Sequence, residues 1–336
     1  MFAYIVRRLF QMGITLFVVS VLSFLIVALA PGDPYDKTLD PNSTPADMER
    51  QRDQSGYDDP VIIKYKTYYG NFFSDLGAAA SINIFGGSED YEWKLISYRT
   101  REPILPTMWR KMLITLPLVI LTTLITWTLS FPVGIYSSLR RGRWQDQIIT
   151  VLAYALIALP GFWISLLLIQ FITHVVNRPI IAPHTLGVEY TGVRAIMDAT
   201  WHVAVPAFIG ALTGIAVLSR YVKGQMLEVL GQDYIRTAKA KGLDGDTVYY
   251  KHALRNASLP FITMLAGLLP SLFGGSVVFE AIYAWPGLGR WVFEAVFNKD
   301  VFIVVTSLFV GSGLTLFGIL LSDLAYSVAD PRVKLG

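Results

Sequence analysis

Four histidines, His174, His184, His202 and His252, are the side chains best suited to bind a metal or carry a proton, and their spacing favours neither role. No His-Glu-x-x-His pair occurs, and the absence of cysteine removes thiolate zinc sites and disulfides. The run Gly287-Leu288-Gly289-Arg290 is glycine-rich, yet it lacks the Lys-Ser/Thr that completes a phosphate-binding loop. No nucleophile and base fall into a recognisable constellation. The chain is expected not to be an enzyme, with no catalytic residue, no metal site and no cofactor of its own.

What the sequence does offer is charge concentrated where lipid would forbid it. Residues 220–260 carry seven Lys and Arg against four Asp and Glu. At a bilayer centre those seven cations would cost about 20 kcal/mol to bury. The segment must therefore lie in water or on a partner, although an apolar run flanks it on either side.

Those runs belong to a pattern that spans the whole chain. Of 336 residues, 53% are hydrophobic and 16% charged, and the mean hydropathy is +0.48. Soluble domains are about 25% charged, so a polytopic membrane protein is expected. Six stretches, 9–30, 113–139, 148–173, 203–222, 259–278 and 304–326, are long enough to cross about 30 Å of hydrocarbon as helices. The first is read as an uncleaved membrane helix, because it exceeds a signal-peptide core and Pro31 would directly follow the cut. Arg7 and Arg8, the loop residues Arg140, Arg141 and Arg143, and the tail residues Arg332 and Lys334 alternate with cation-poor connections. The positive-inside rule then places both termini and the 220–260 segment in the cytoplasm.

Three parts follow: 1–30 as N-terminal segment and first span, 31–111 as an extracytoplasmic insertion, and 112–336 as the remaining core. The insertion is expected to be a small α+β cap, with an aromatic run at Tyr65, Tyr68, Tyr69, Phe72 and Phe73 and a Gly/Ser turn over 83–90. Pro117, Pro132, Pro160-Gly161, Pro270 and Gly274-Gly275 interrupt the spans, either as packing kinks or as hinges. Asp323 is the only acid within a span, which disfavours an ion-driven carrier working alone. Thr122, Thr126, Tyr154, Ser165 and Gln170 provide neutral polarity, either lining a pathway or bonding helix to helix. Gly210-x-x-x-Gly214 is suited to close helix approach.

Within 220–260, Gly231 precedes a short helix expected over 232–241, with Ile235, Ala238 and Gly242 on one narrow face. Lys239 and Lys241 complement its C-terminus, and Gly242 is placed to stop it with a positive φ. Asp246 or Thr247 is expected to cap a second helix carrying Tyr249, His252 and Leu254. The small-residue face would lie in a partner's groove. A lipid-headgroup surface is the alternative, whereas nucleic-acid binding is disfavoured because both ends are tethered to membrane helices.

This stretch resembles the cytoplasmic loop of binding-protein-dependent ABC importer permeases, Glu-Ala-Ala, three residues, Gly, and a closing Ile-x-Leu-Pro. Ala238, Gly242, Leu259 and Pro260 match, while Arg236, Thr237 and Ala257 depart. The departures are similar to the oligopeptide/dipeptide/nickel branch, which 233–243 and 252–256 fit closely. Ala30-Pro31-Gly32-Asp33-Pro34, Tyr57-Asp58-Asp59-Pro60 with Asp75-Leu76-Gly77, Phe279-Glu280 with Trp285-Pro286-Gly287-Leu288-Gly289-Arg290, and Asp330-Pro331-Arg332 resemble further signatures of that branch.

The resemblance implies an all-α, six-helix, type I importer-like permease of the prokaryotic cytoplasmic membrane, the B-type partner of a C-type permease. Its other partners would be two ABC ATPase subunits holding ATP and Mg, an extracytoplasmic solute-binding protein, and membrane lipid. The solute would be a di- or oligopeptide, or else a nickel chelate or oligosaccharide. Residues 232–246 would contain a coupling helix, with Arg236, Ala238, Lys239, Lys241, Gly242, Leu243 and Asp246 meeting an ATPase. Glu280, Trp285, Pro286, Gly287, Gly289 and Arg290 would serve an outer gate or binding-protein docking. A membrane scaffold that recruits a cytoplasmic protein is the reading of a different class.

Overall fold

The structure, a computed structural model, describes residues 2–29, 58–85, 91–264, 268, 271 and 277–329. Among them helix dominates, and β structure is limited to one isolated antiparallel bridge, Ile96 to Pro103. The signatures at 30–34 and 330–332, Tyr57, residues 86–90 of the turn expected over 83–90 (83–85 end a helix), the tail cations, Pro270 and Gly274-Gly275 lie outside the described residues.

Among the described residues four helices are long and apolar enough to cross a membrane: α1 (Phe2–Ala28), α3 (Ile104–Leu139), α6 (Val193–Leu230) and α12 (Val301–Ala329). At 1.5 Å per residue, the 36 residues of α3 and 38 of α6 each exceed 50 Å by a small margin, far beyond about 30 Å of hydrocarbon. Their ends must project into water or the interface, and the projecting end of α6 is where the basic segment begins. The expected span over 148–173 is instead two helices, α4 (Trp144–Ala158) and α5 (Gly161–Val175), bent by 101°. Proline at 160 disfavours helical φ/ψ in the preceding residue, and Leu159 is extended at ψ 134°. The expected span at 259–278 is described as α9 (Leu259–Met264), residues 268 and 271, and the start of α10 (Val277–Ile282).

The described residues fall into two compact units. The first comprises Met1–Ile114 and Gly287–Phe317. Among its described residues the insertion forms no strand, and α2 (Val61–Phe85) is a single long helix whose aromatic run is a packing face. Tyr65 meets Phe24 of α1 edge to face at 5.4 Å, and the Tyr68 hydroxyl shares a 2.6 Å hydrogen bond with Thr306 of α12. Phe72 and Phe73 pack against Phe309. Asp75, fully buried, accepts the Leu95 amide at 2.8 Å, the Lys94 amide at 3.1 Å and the Tyr91 hydroxyl at 2.9 Å, tying the following segment back to α2. The segment then leads into α3, while α11 (Leu288–Phe297) precedes α12.

The second unit comprises Thr115–Pro286 and Gly318–Leu335. In it α4 and α5 both pack along α6. The chain continues through α7 (Asp233–Ala240), a π-helix (Thr247–Ala253), α8 (Leu254–Ala257), α9 and α10.

Candidate coupling site

Local chemistry explains why α7 is short and where it stops. Gln232 is extended at ψ 150°, Asp233 favours the positive end of the first turn, and Lys239 favours the last. Gly242 then sits at φ 76°. Its amide donates to the Lys239 carbonyl at 3.0 Å, and the Leu243 amide donates to the Ala238 carbonyl at 3.4 Å. This paired closure satisfies carbonyls that the helix end would leave open, and it requires a left-handed residue. The expected helix and glycine stop are both present.

The cap of the next element is a correction. Asp246 has helical angles and makes no side-chain cap. Asp244 does so instead, its Oδ2 accepting the Thr247 amide at 3.1 Å. Hydrogen bonds from the Thr247 side chain and amide hold the Asp244 carboxyl below the usual carboxylate range. The element it opens is a seven-residue π-helix rather than an α-helix, a rare form often found at functional sites.

Packing also reverses the expected direction of the small-residue face. Ile235 and Ala238 are 1% and 7% exposed, and they join Leu218, Val222, Met226, Val248, Ala253, Ala257, Phe261 and Ile135 in one apolar cluster. Ala238 is thus buried in the chain's own core and unavailable to a partner groove. Burying Ile235 alone stabilises this seat by about 1.5–3 kcal/mol. Arg236, Lys239, Lys241, Gly242, Leu243 and Asp246 remain exposed. Arg236 pairs with Asp233 at 3.3 Å, and the Lys239 ammonium lies 5.9 Å from the Tyr249 ring centroid. The Tyr234 hydroxyl accepts from Asn256 at 3.0 Å, bracing α7 against α8.

Two features of this junction were not legible in the sequence. Asp146 in the first turn of α4 pairs with Lys223 of α6, with side-chain exposures of 9% and 20%. The Ser137 hydroxyl of α3 also donates to Asp146, and the Gly142 amide reaches its Oδ2 at 3.0 Å. Lys223 donates further to Thr150 at 3.2 Å. The second is Gly134, where a Cβ would lie 2.5 Å from the Ser219 carbonyl oxygen. The expected glycines at 210 and 214 face side chains, Phe279 at 3.1 Å and Thr126 at 3.0 Å.

The remaining expected residues are dispersed. Thr122 donates to the Leu118 carbonyl of its own helix at 2.7 Å, and Ser165, fully buried, donates to Gly161 at 3.0 Å. Tyr154 is exposed and accepts from Arg220 at 2.8 Å, with the guanidinium 4.0 Å from the ring centroid. Gln170 is also exposed. In the second unit Glu280 is fully buried, accepts from Thr115 at 3.0 Å, and gives its carbonyl to the Trp285 amide at 2.8 Å. Trp285 is 4% exposed and Pro286 half-buried. Buried in this way, Glu280 and Trp285 hold the α10 terminus and present no docking surface of their own. In the first unit Gly287 and Gly289 are buried, and Arg290 pairs with Glu294 at 2.8 Å.

The family described as binding-protein-dependent transport system inner membrane component matches residues 130–335, and its N-terminal companion matches 1–119. The oligopeptide transport system permease protein AppB of Bacillus subtilis is 34% identical over 99% of this chain and 100% of its own. The dipeptide transport system permease protein DppB of Alkalihalophilus pseudofirmus is 29% identical over 99% of this chain and 100% of its own. A chain of the inward-facing MetNI methionine ABC transporter is similar at a TM-score of 0.48 and 18% identity, covering 68% of this chain and 99% of that one. On the family match and the full-length relatives, the chain belongs to the binding-protein-dependent transport system inner membrane components.

Proposed function

We propose that this chain is the B-type transmembrane permease subunit of an ATP-driven ABC importer for di- and oligopeptides. It works with a C-type permease, two ATPase subunits that hold ATP and Mg, and an extracytoplasmic solute-binding protein. Both termini and the 220–260 segment lie in the cytoplasm, and 31–111 lies outside. Peptide as the solute is supported by relatives named for oligopeptide and dipeptide transport.

The observation that carries the reading is the seating of α7. Its apolar side is fixed to the projecting end of α6, while Arg236, Lys239, Lys241 and Leu243 face away. A rigidly based helix with an exposed, mostly cationic rim suits transmission of force from a cytoplasmic partner. Motion there follows only if the partner contacts the two permease states with different free energies.

The test is reconstitution of the chain with these partner subunits in liposomes and measurement of labelled trialanine uptake. Uptake is expected only with ATP, both ATPases and the binding protein. Uptake by the chain alone would mark a secondary carrier, and ATPase recruitment without solute movement would mark a scaffold.

A further inference from the structure

The inner end of α6 serves two neighbours at once. Val222 and Met226 are seated in the cluster that receives Ile235 and Ala238 of α7. Lys223, next to Val222, reaches Asp146 of α4, which Ser137 of α3 and the Gly142 amide also hold. These two attachments differ in kind. Apolar contact is non-directional and holds α7 to α6 by close packing, whereas a hydrogen-bonded ion pair also fixes register. A largely buried pair is also weak support for stability as such, because desolvation offsets most of the attraction. Its effect is therefore better sought in position than in stability.

We infer that the Asp146–Lys223 pair is the link through which displacement of α7 reaches the bent α4–α5 helices. α7 and α6 would move together through their apolar seat. The pair would then carry α4 with α6 as a single body, delivering the movement to the bend at Leu159–Pro160. Asp146 and Lys223 are positioning residues in this account. The inference rests on the proposed ATP-coupled function.

The chain has no cysteine, so spin labels can be placed at Val151→Cys on α4 and Tyr250→Cys on the π-helix, both exposed sites. Distances are measured in the assembled transporter in nanodiscs, without nucleotide and after trapping with Mg-ATP and vanadate. The native pair should keep the Val151–Tyr250 distance unchanged between the two states. Lys223→Met should let it shift on trapping, and trialanine uptake should fall about tenfold while ATP hydrolysis changes about twofold or less. The conservative Lys223→Arg, which can still donate to Asp146, should keep the constant distance and most of the uptake. An unchanged distance and normal uptake in Lys223→Met would overturn the inference. So would a Lys223→Arg variant that assembles but behaves like Lys223→Met, or loss of assembly in both variants, which would mark a purely structural pair. If the native chain fails to recruit ATPases, the functional reading itself fails, and this inference fails with it.

Discussion

Gly134 and Val222 approach so closely that a Cβ on the glycine would lie 2.6 Å from the valine Cβ. With the Ser219 carbonyl oxygen at 2.5 Å on the same side, the obstruction includes backbone that cannot rotate away. Gly134→Ala should therefore force α3 and α6 apart and destabilise the second unit by about 1–3 kcal/mol. Gly224 of α6 meets nothing within 4 Å. Gly224→Ala should be neutral or stabilise by about 0.5–1 kcal/mol. Thermal unfolding of the two purified variants in the same detergent checks the contrast.

Gly242 is constrained by conformation rather than space, since φ is 76° and no atom would lie within 4 Å of a Cβ. Gly242→Ala should cost about 1–2 kcal/mol in the closure of α7. Gly242→Asn should cost less, because asparagine tolerates the left-handed region, and Gly242→Val more. Hydrogen exchange of the Gly242 and Leu243 amides, which make the closing bonds, should accelerate in the order Asn, Ala, Val. Equal exchange in all three would contradict the assignment.

The two aspartates after the glycine should behave differently. Asp244→Ala removes the cap at Thr247 and should loosen the turn, whereas Asp246→Ala, which removes no cap, should leave it unchanged. Protease accessibility of the 240–250 stretch in the assembled transporter distinguishes them.

Asp300 precedes α12 outside the membrane segment and accepts the Ser97 hydroxyl at 2.6 Å. Burial raises its pKa above the ordinary Asp value. The folded state then binds the proton more tightly than the unfolded state, so stability is greatest below the ordinary Asp range. It declines as pH rises through the folded-state pKa. Asp300→Asn keeps an acceptor for Ser97 and should flatten this decline while raising the melting temperature at neutral pH. Melting curves from about pH 4 to 7 of native protein and variant read the difference directly.

How much of this could be read beforehand depended on how local the cause was. The α7 helix and its Gly242 stop rest on neighbouring residues, and both were visible. The periodicity of Ile235 and Ala238 marked a face but not what fills it, and the chain's own Val222 and Met226 fill it. Asp244 and Asp246 are equivalent as sequence, and only the path of the turn selects the first. Hydropathy continues through Leu159-Pro160, so a 101° break looked like one span. The Asp146–Lys223 pair joins residues 77 positions apart, and Lys223 was counted only among the cations of its segment. The aromatic run of α2 looked like an outer cap, because nothing nearby in sequence announces that its partners are Phe24, Thr306 and Phe309.

The central claim is that the exposed rim of α7 meets an ATPase, and a single cysteine at Leu243 tests it most directly. In this cysteine-free chain, Leu243→Cys carrying a short maleimide crosslinker should capture an ATPase subunit in the assembled transporter. The yield should change between nucleotide-free and vanadate-trapped states. Val193→Cys, exposed at the opposite end of α6, should capture none. An intact, ATP-hydrolysing transporter that gives no ATPase adduct from position 243, or equal adducts from 243 and 193, would contradict the account.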